Sequence, residues 1–190
     1  QDVKSLLDRL GLRAPSSHIG LDQLQKDLAG QVTAAKVIGH EYITVPALMQ
    51  PLMGKVTPDY WGTTAKEFNR IASALKNEGI GFAYHNHSFE FEKLPDGRTA
   101  YDVLLTETDP ALVKFELDLL WATVAGQDPV AMFQRNPGRY VMWHVKDMHK
   151  VSRDYTPPLI KKCTRNSQPN PGSTACDEGR PALLHVTLPG

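Results

Sequence analysis

Two histidines stand one residue apart at the end of the run Gly81-Phe82-Ala83-Tyr84-His85-Asn86-His87. A short apolar run bounded by glycine reads as a buried strand. Side chains alternate across a strand, so His85 and His87 share one face, with Ala83 behind them, and Phe82, Tyr84 and Asn86 take the other. Two imidazoles at the mouth of a strand suit a metal ligand beside an acid/base. Two further strand-like runs end in related chemistry. Leu112 to Leu119 puts Lys114, Glu116 and Asp118 on one face, and Tyr140 to Lys146 puts Met142, His144 and Lys146 on one face. His85, Asp118 and His144 thus end three successive strands, and imidazole with carboxylate suits Zn2+, Mn2+, Co2+ or Fe2+. Such an ion could polarise a carbonyl or hydroxyl and stabilise an enediolate. His87 is the candidate for moving a proton, because imidazole titrates near neutrality. Lys146 could bind a hydroxyl, an enolate oxygen or a phosphate. Glu116, one pleat below Asp118, is placed to support the site rather than to meet substrate.

Each of these residues also has a plain structural reading. A strand-end histidine such as His18 is as readily a hydrogen-bonded residue, and His40 and His149 read as surface or loop. The paired histidines could be structural, and Asp118 could cap or anchor a loop. Trp121 and Trp143 read as core. Phe89 and Phe91 read as packing beneath a small excursion whose solvated side is Glu90 and Glu92. Recurrence of polar groups at the same end of successive strands is what favours chemistry.

The elements that must position these groups alternate along the chain. Asp2 to Leu10 has helical spacing, with Gly11 as its stop. Ala14 to Gly20 reads as a strand ending at His18. Leu21 to Ile38 reads as one helix, Glu41 to Pro46 as a strand, and Ala47 to Val56 as a loop. Thr57-Pro58 looks like an N-cap and first helical position. The helix then runs towards Glu78, with Ala65, Phe68, Ile71, Ala72 and Leu75 inward. Asp96-Gly97 marks a turn. Tyr101 to Thr106 and Asp128 to Gln134 read as short helices. Alternation through about residue 148 predicts a parallel sheet with crossover helices and five strands. In a parallel α/β barrel the C-terminal strand ends carry the active site. After Lys150 the composition turns to Pro, Ser, Thr, Asn and Gly, an irregular or disordered tail over 151–190. Its last apolar run, Leu183 to Leu188, is too short to complete a barrel.

The 190 residues carry 41% hydrophobic side chains, enough for one core, and 21 basic against 21 acidic groups. That balance gives no long-range pull on nucleic acid or an anionic membrane. No apolar run approaches a membrane span. Cys163 and Cys176 both lie in the tail, so a reducing, cytoplasmic setting is expected.

Tyr84-His85-Asn86-His87-Ser88-Phe89-Glu90-Phe91, Phe115-Glu116-Leu117-Asp118-Leu119 and His144-Val145-Lys146-Asp147-Met148, in this order, resemble the sugar phosphate isomerase/epimerase family. Ser17-His18-Ile19-Gly20 and the stretch from Asp128-Pro129 to Pro137-Gly138-Arg139 are similar too. These are xylose isomerase-like TIM barrels, related to abasic-site endonucleases, and the likeness covers about residues 1–150. The resemblance implies a partial (β/α)8 barrel and one divalent metal (Mn, Zn, Co or Mg) held by Glu, Asp, His and Glu. Asp118 matches the Asp and His144 the His. His85 falls where many relatives carry the first Glu. His87 matches the acid/base of related dehydratases, and His18 matches a metal- or substrate-binding histidine of some relatives. Glu178 is a poor substitute for the final Glu. Three of eight strands are expected to be missing, as in a chain truncated at both ends. The expected substrate is a small sugar or sugar derivative, with no nucleic acid or membrane partner. The expected reaction is proton transfer next to a carbonyl. The alternatives are a catalytically inactive remnant acting as a binding module, or a dehydratase or lyase on oxidised sugars.

Overall fold

The computed structural model of the chain describes residues 2–52, 59–146 and 184–187. The elements run α1 (Asp2–Leu10), β1 (Ser16–His18), α2 (Leu21–Lys26), α3 (Leu28–Ile38), β2 (Tyr42–Val45), α4 (Met49–Leu52) and α5 (Tyr60–Asn77). They continue with β3 (Gly81–His85), a 3-10 turn (Phe89–Phe91), α6 (Ala100–Glu107), β4 (Val113–Asp118), α7 (Leu119–Val124), α8 (Pro129–Arg135), β5 (Tyr140–Val145) and β6 (Leu184–Thr187). Strand order follows the chain, β1 to β6. The first five strands are parallel and, with their helices, form part of a TIM barrel. Parallel neighbours need a crossover, and the intervening helices supply it.

The helices bury one face each against the strands. In α5, Phe68, Ile71, Ala72 and Leu75 are fully buried or nearly so. The Phe68 ring lies 5.0 Å from that of Phe82 and 5.3 Å from that of Tyr84, which joins α5 to the outer face of β3. Phe68, Ile71 and Leu75 each contribute about 1.5–3 kcal/mol by leaving water. Gly81 opens β3 beneath the Tyr42 ring of β2. A Cβ there would come within 2.3 Å of that ring, so the Tyr42 ring in this position leaves room only for glycine.

Several expectations change. Leu21 to Ile38 is two helices, not one. Asp27 leaves the helical conformation and its carboxylate accepts the Gly30 amide at 2.9 Å, starting α3 afresh. Within the expected loop after β2, Met49–Leu52 is a helical turn. Leu119–Val124 is helical directly after β4, with no intervening loop. The expected cap at Thr57-Pro58 lies outside the described residues, as do His149, the two cysteines, Glu178 and residues 151–183. In the tail, Leu184–Thr187 runs antiparallel along β5, pairing Met142 with Thr187 and Val145 with Leu184. Between β4 and β5 the register shifts by one: Phe115 faces Tyr140, but Glu116 faces Met142 and Asp118 faces His144, leaving Val141 over.

Candidate functional site

Strand register brings the polar groups to one end of the sheet. His85 is level with Glu116 across β3 and β4, and Asp118 is level with His144 across β4 and β5. Alternation puts Glu116 and Asp118 on the same face of β4, one pleat apart. His85, Glu116, Asp118 and His144 are all buried. His85 Nε2 and His144 Nδ1 lie 3.5 and 3.3 Å from Asp118 Oδ2. The two Nδ1 atoms of these histidines are 3.4 Å apart. One donor atom from each of His85, Asp118 and His144 falls within 4.8 Å of the others. His18 reaches in from β1, with Nε2 3.1 Å from Glu116 Oε2, and Glu116 Oε1 lies 3.5 Å from His85 Nδ1. Lys146 Nζ sits 2.6 Å from Asp118 Oδ2 and 5.6 Å from the centre of the Trp121 ring. His87 follows β3, its ring 5.1 Å from that of His85 and 5.7 Å from that of Trp121. Every residue singled out from the sequence for this site therefore converges here. His40 does not; its Nδ1 meets the Ala14 carbonyl at 2.6 Å.

Burial, with neighbouring positive charge, favours the neutral form of His85, His87 and His144. Burial is the main cause for each, since it penalises the charged form. It lowers His85, partly offset by Glu116. It lowers His144 to about 4, aided by the charges of His85 and Lys146. It also lowers His87 to about 4, aided by the same two residues. Burial alone would raise the Glu116 carboxyl, but the bonds from His18 and His85 outweigh it and hold the group well below the usual carboxylate range.

The residues that brace this cluster carry no local signal of that role. Glu90, expected in solvent, is fully buried. Its carboxyl accepts the Tyr84 hydroxyl at 2.6 Å and the His87 amide at 2.8 Å, fixing the backbone that carries His87. A polar residue between two phenylalanines of a 3-10 turn gives no periodic cue to its direction. Phe89 and Phe91 are packed against the core as expected. Asn86 is buried and accepts the Asp118 amide at 3.0 Å, tying the end of β3 to the end of β4. Asp118 Oδ1 accepts the Trp121 amide at 2.9 Å and so caps α7. An aspartate ahead of Leu-Leu-Trp-Ala-Thr-Val is a readable N-cap signal.

A divalent cation fits this donor set. Tetrahedral binding at 2.0–2.1 Å holds nitrogen and oxygen donors about 3.3 Å apart. The separations from Asp118 Oδ2 to His85 Nε2 and His144 Nδ1 are close to that. Ligating imidazoles must be neutral, the form that burial favours here.

No family model matches the chain. An inosose dehydratase from Lacticaseibacillus casei is 28% identical over 98 residues, which is 52% of this chain and 32% of that protein. A crystal structure of a sugar phosphate isomerase/epimerase from Parabacteroides distasonis ATCC 8503 superposes with a TM-score of 0.68 at 29% identity, over 77% of this chain and 56% of its own. An IOLI protein with a bound zinc atom superposes with a TM-score of 0.58 over 79% of this chain and 58% of its own. At 13% identity this likeness shows the fold alone. The chain therefore spans about a third of the dehydratase and little more than half of these solved chains. Among the described residues no helix is long and apolar enough to cross a membrane. In fold this is part of a xylose isomerase-like TIM barrel, and the chain resembles the sugar phosphate isomerase/epimerase proteins.

Proposed function

We propose that these strands carry the metal-binding part of an enzyme that moves a proton next to a carbonyl of a sugar or sugar-like polyol, as an isomerase or epimerase does. The observation that carries this reading is the convergence of His85, Asp118 and His144, all buried, with donor atoms within 4.8 Å of one another. These three residues would hold a divalent cation. When bound, such an ion polarises a substrate carbonyl or hydroxyl. His87, neutral at pH 7 and braced by Glu90, is the group that accepts and returns the proton. Its Nδ1 is buried and has no hydrogen-bond partner among the described residues, which suits an atom kept for substrate. Lys146 and His18 stand at the rim, where they would bind and orient hydroxyl or carbonyl oxygens. Resemblance to an inosose dehydratase supports a close variant, in which the same proton abstraction is followed by loss of water.

Isothermal titration of the metal-free chain with Zn2+ or Mn2+ tests this. The expected result is one ion per chain at micromolar or tighter affinity, lost in both His144→Ala and Asp118→Ala. Absence of binding, or binding that survives both changes, refutes it.

One observation favours a second reading, a binding module without catalysis. Lys146 already supplies Asp118 with a counter-charge at 2.6 Å, so the carboxylate is balanced without an ion. Lys146→Met separates the two. If the ammonium is the resident cation, its loss destabilises the fold by about 1–3 kcal/mol and creates no metal affinity. If it only competes with a metal, the variant binds zinc at least as tightly as the parent.

A further inference from the structure

We propose that Glu116 is a positioning residue. Its buried carboxylate meets His18 Nε2 at 3.1 Å and faces His85 Nδ1 at 3.5 Å, and its charge favours a proton on that nitrogen, the tautomer whose Nε2 lone pair faces Asp118. His85 has one ring proton when neutral and two carboxylates to offer it to. Glu116 Oε1 is 3.5 Å from Nδ1 and Asp118 Oδ2 is 3.5 Å from Nε2, so distance does not decide. The other partners do. Asp118 Oδ2 is met by the Lys146 ammonium at 2.6 Å, and Oδ1 takes the Trp121 amide. A charged donor at that distance satisfies an oxygen better than a neutral N–H at 3.5 Å. Glu116 instead faces imidazoles, with His18 Nε2 at 3.1 Å. The His85 proton therefore belongs on the Glu116 side.

His144 agrees with this assignment. Its Nδ1 lies 3.4 Å from His85 Nδ1, and two N–H groups cannot face each other there. With His85 protonated at Nδ1, His144 presents a bare Nδ1, the same atom that stands 3.3 Å from Asp118 Oδ2. One carboxylate a pleat below the site thus leaves lone pairs on both nitrogens nearest Asp118. Carboxylates that orient ligating histidines in this way tune metal affinity.

The same atoms have a rival use, since His18, His85 and Glu116 also offer donors within 4.8 Å of one another. A second cation there would need both nitrogens of His85 and would crowd two divalent charges among two carboxylates. The tautomer assignment needs neither.

Long-range 1H–15N correlation of histidine side chains in the metal-free chain at pH 7.5 tests the proposal, with His85 assigned by its loss in His85→Gln. The expected wild-type spectrum has His85 protonated at Nδ1. Glu116→Leu, which removes the acceptor at similar volume, should shift His85 towards the Nε2–H form and weaken zinc binding about 10–100-fold. An Nε2–H His85 in the wild type, or an unchanged tautomer in the variant, overturns it. So do two zinc ions per wild-type chain with one lost in Glu116→Leu, because Glu116 is then a ligand. The zinc arm rests on the proposed function. If the wild type binds no zinc, that function falls and the tautomer still decides this inference, and if Glu116→Leu does not fold, the wild-type spectrum alone decides it.

Discussion

Glu90 is a fully buried carboxyl held between the Tyr84 hydroxyl and the His87 amide. Burial raises it to about 7, although both hydrogen bonds pull the other way. A folded-state value above the unfolded one means the native state keeps a proton that the unfolded chain gives up. Stability from this group is full below about pH 4.5 and is lost as pH rises towards 7. The difference amounts to on the order of 3 kcal/mol. His87 and His144, lowered to about 4, act in the opposite sense between pH 5 and pH 8, so the Glu90 contribution is read as a difference: in urea melts the wild type should lose about 2–3 kcal/mol relative to Glu90→Gln, whose oxygen meets the His87 amide and whose NH2 faces Tyr84, on going from pH 5 to pH 8. Glu90→Ala strands both donors and should cost about 2–4 kcal/mol at pH 5. If the stabilities of wild type and Glu90→Gln change in parallel between pH 5 and pH 8, the buried carboxyl is already ionised and this account fails. Residues of this kind were the least legible in the sequence. The alternation of β3 and β4 shows that His85, Glu116 and Asp118 point to the barrel side, because that rule is local. Glu90 and Asn86 act on backbone amides brought near by the fold, and no spacing announces that.

Asp118 links two elements, since one oxygen caps α7 and the other faces the imidazoles and Lys146. Substitution can separate the duties. Asparagine caps nearly as well as aspartate, whereas alanine loses a cap worth about 1 kcal/mol. Asp118→Asn should therefore melt closer to wild type than Asp118→Ala in a thermal scan, while neither binds zinc in titration. Equal melting of the two variants would show that the cap contributes nothing. Elements with a clear period were legible: β3, β4, β5 and the long α5 lie within a residue or two of their expected bounds. The break at Asp27 was hidden because apolar positions continue across it, and the capping aspartate looks like any polar surface residue. Helix α7 was hidden because its cap is also the last residue of a strand.

At the level of the molecule, stability rests on the helix-to-sheet core, while the first helix adds little. Val3, Leu6 and Leu10 of α1 are exposed, whereas Leu75 of α5 is fully buried. Leu75→Ala should cost about 2–5 kcal/mol, and Leu6→Ala less than about 1 kcal/mol, in denaturant melts. A bound cation adds to this total. Zinc at one hundred times its dissociation constant should stabilise the wild type by about 2.7 kcal/mol and leave Asp118→Asn unchanged. A wild-type melt that ignores zinc contradicts the proposed centre. The parallel sheet was legible because strand and helix alternate, and a parallel neighbour needs the chain carried back. Strand β6 was not, since its four residues lie in a stretch whose composition reads as an irregular tail.

The unpaired Val141 decides which residue of β5 the centre receives. Tyr140 packs outward against Phe133 and Phe115, its rings 5.1 and 6.2 Å away. Counted strictly in twos from that anchor, the position opposite Asp118 would fall to Trp143, and His144 would be turned towards the helices. A single surplus residue resets the count, so the imidazole meets the carboxylate and the indole lies 5.5 Å from Phe133 instead. The chemistry at this end of the sheet thus hangs on an odd number: a change that slid β5 by one step would exchange a histidine for a tryptophan without altering either side chain.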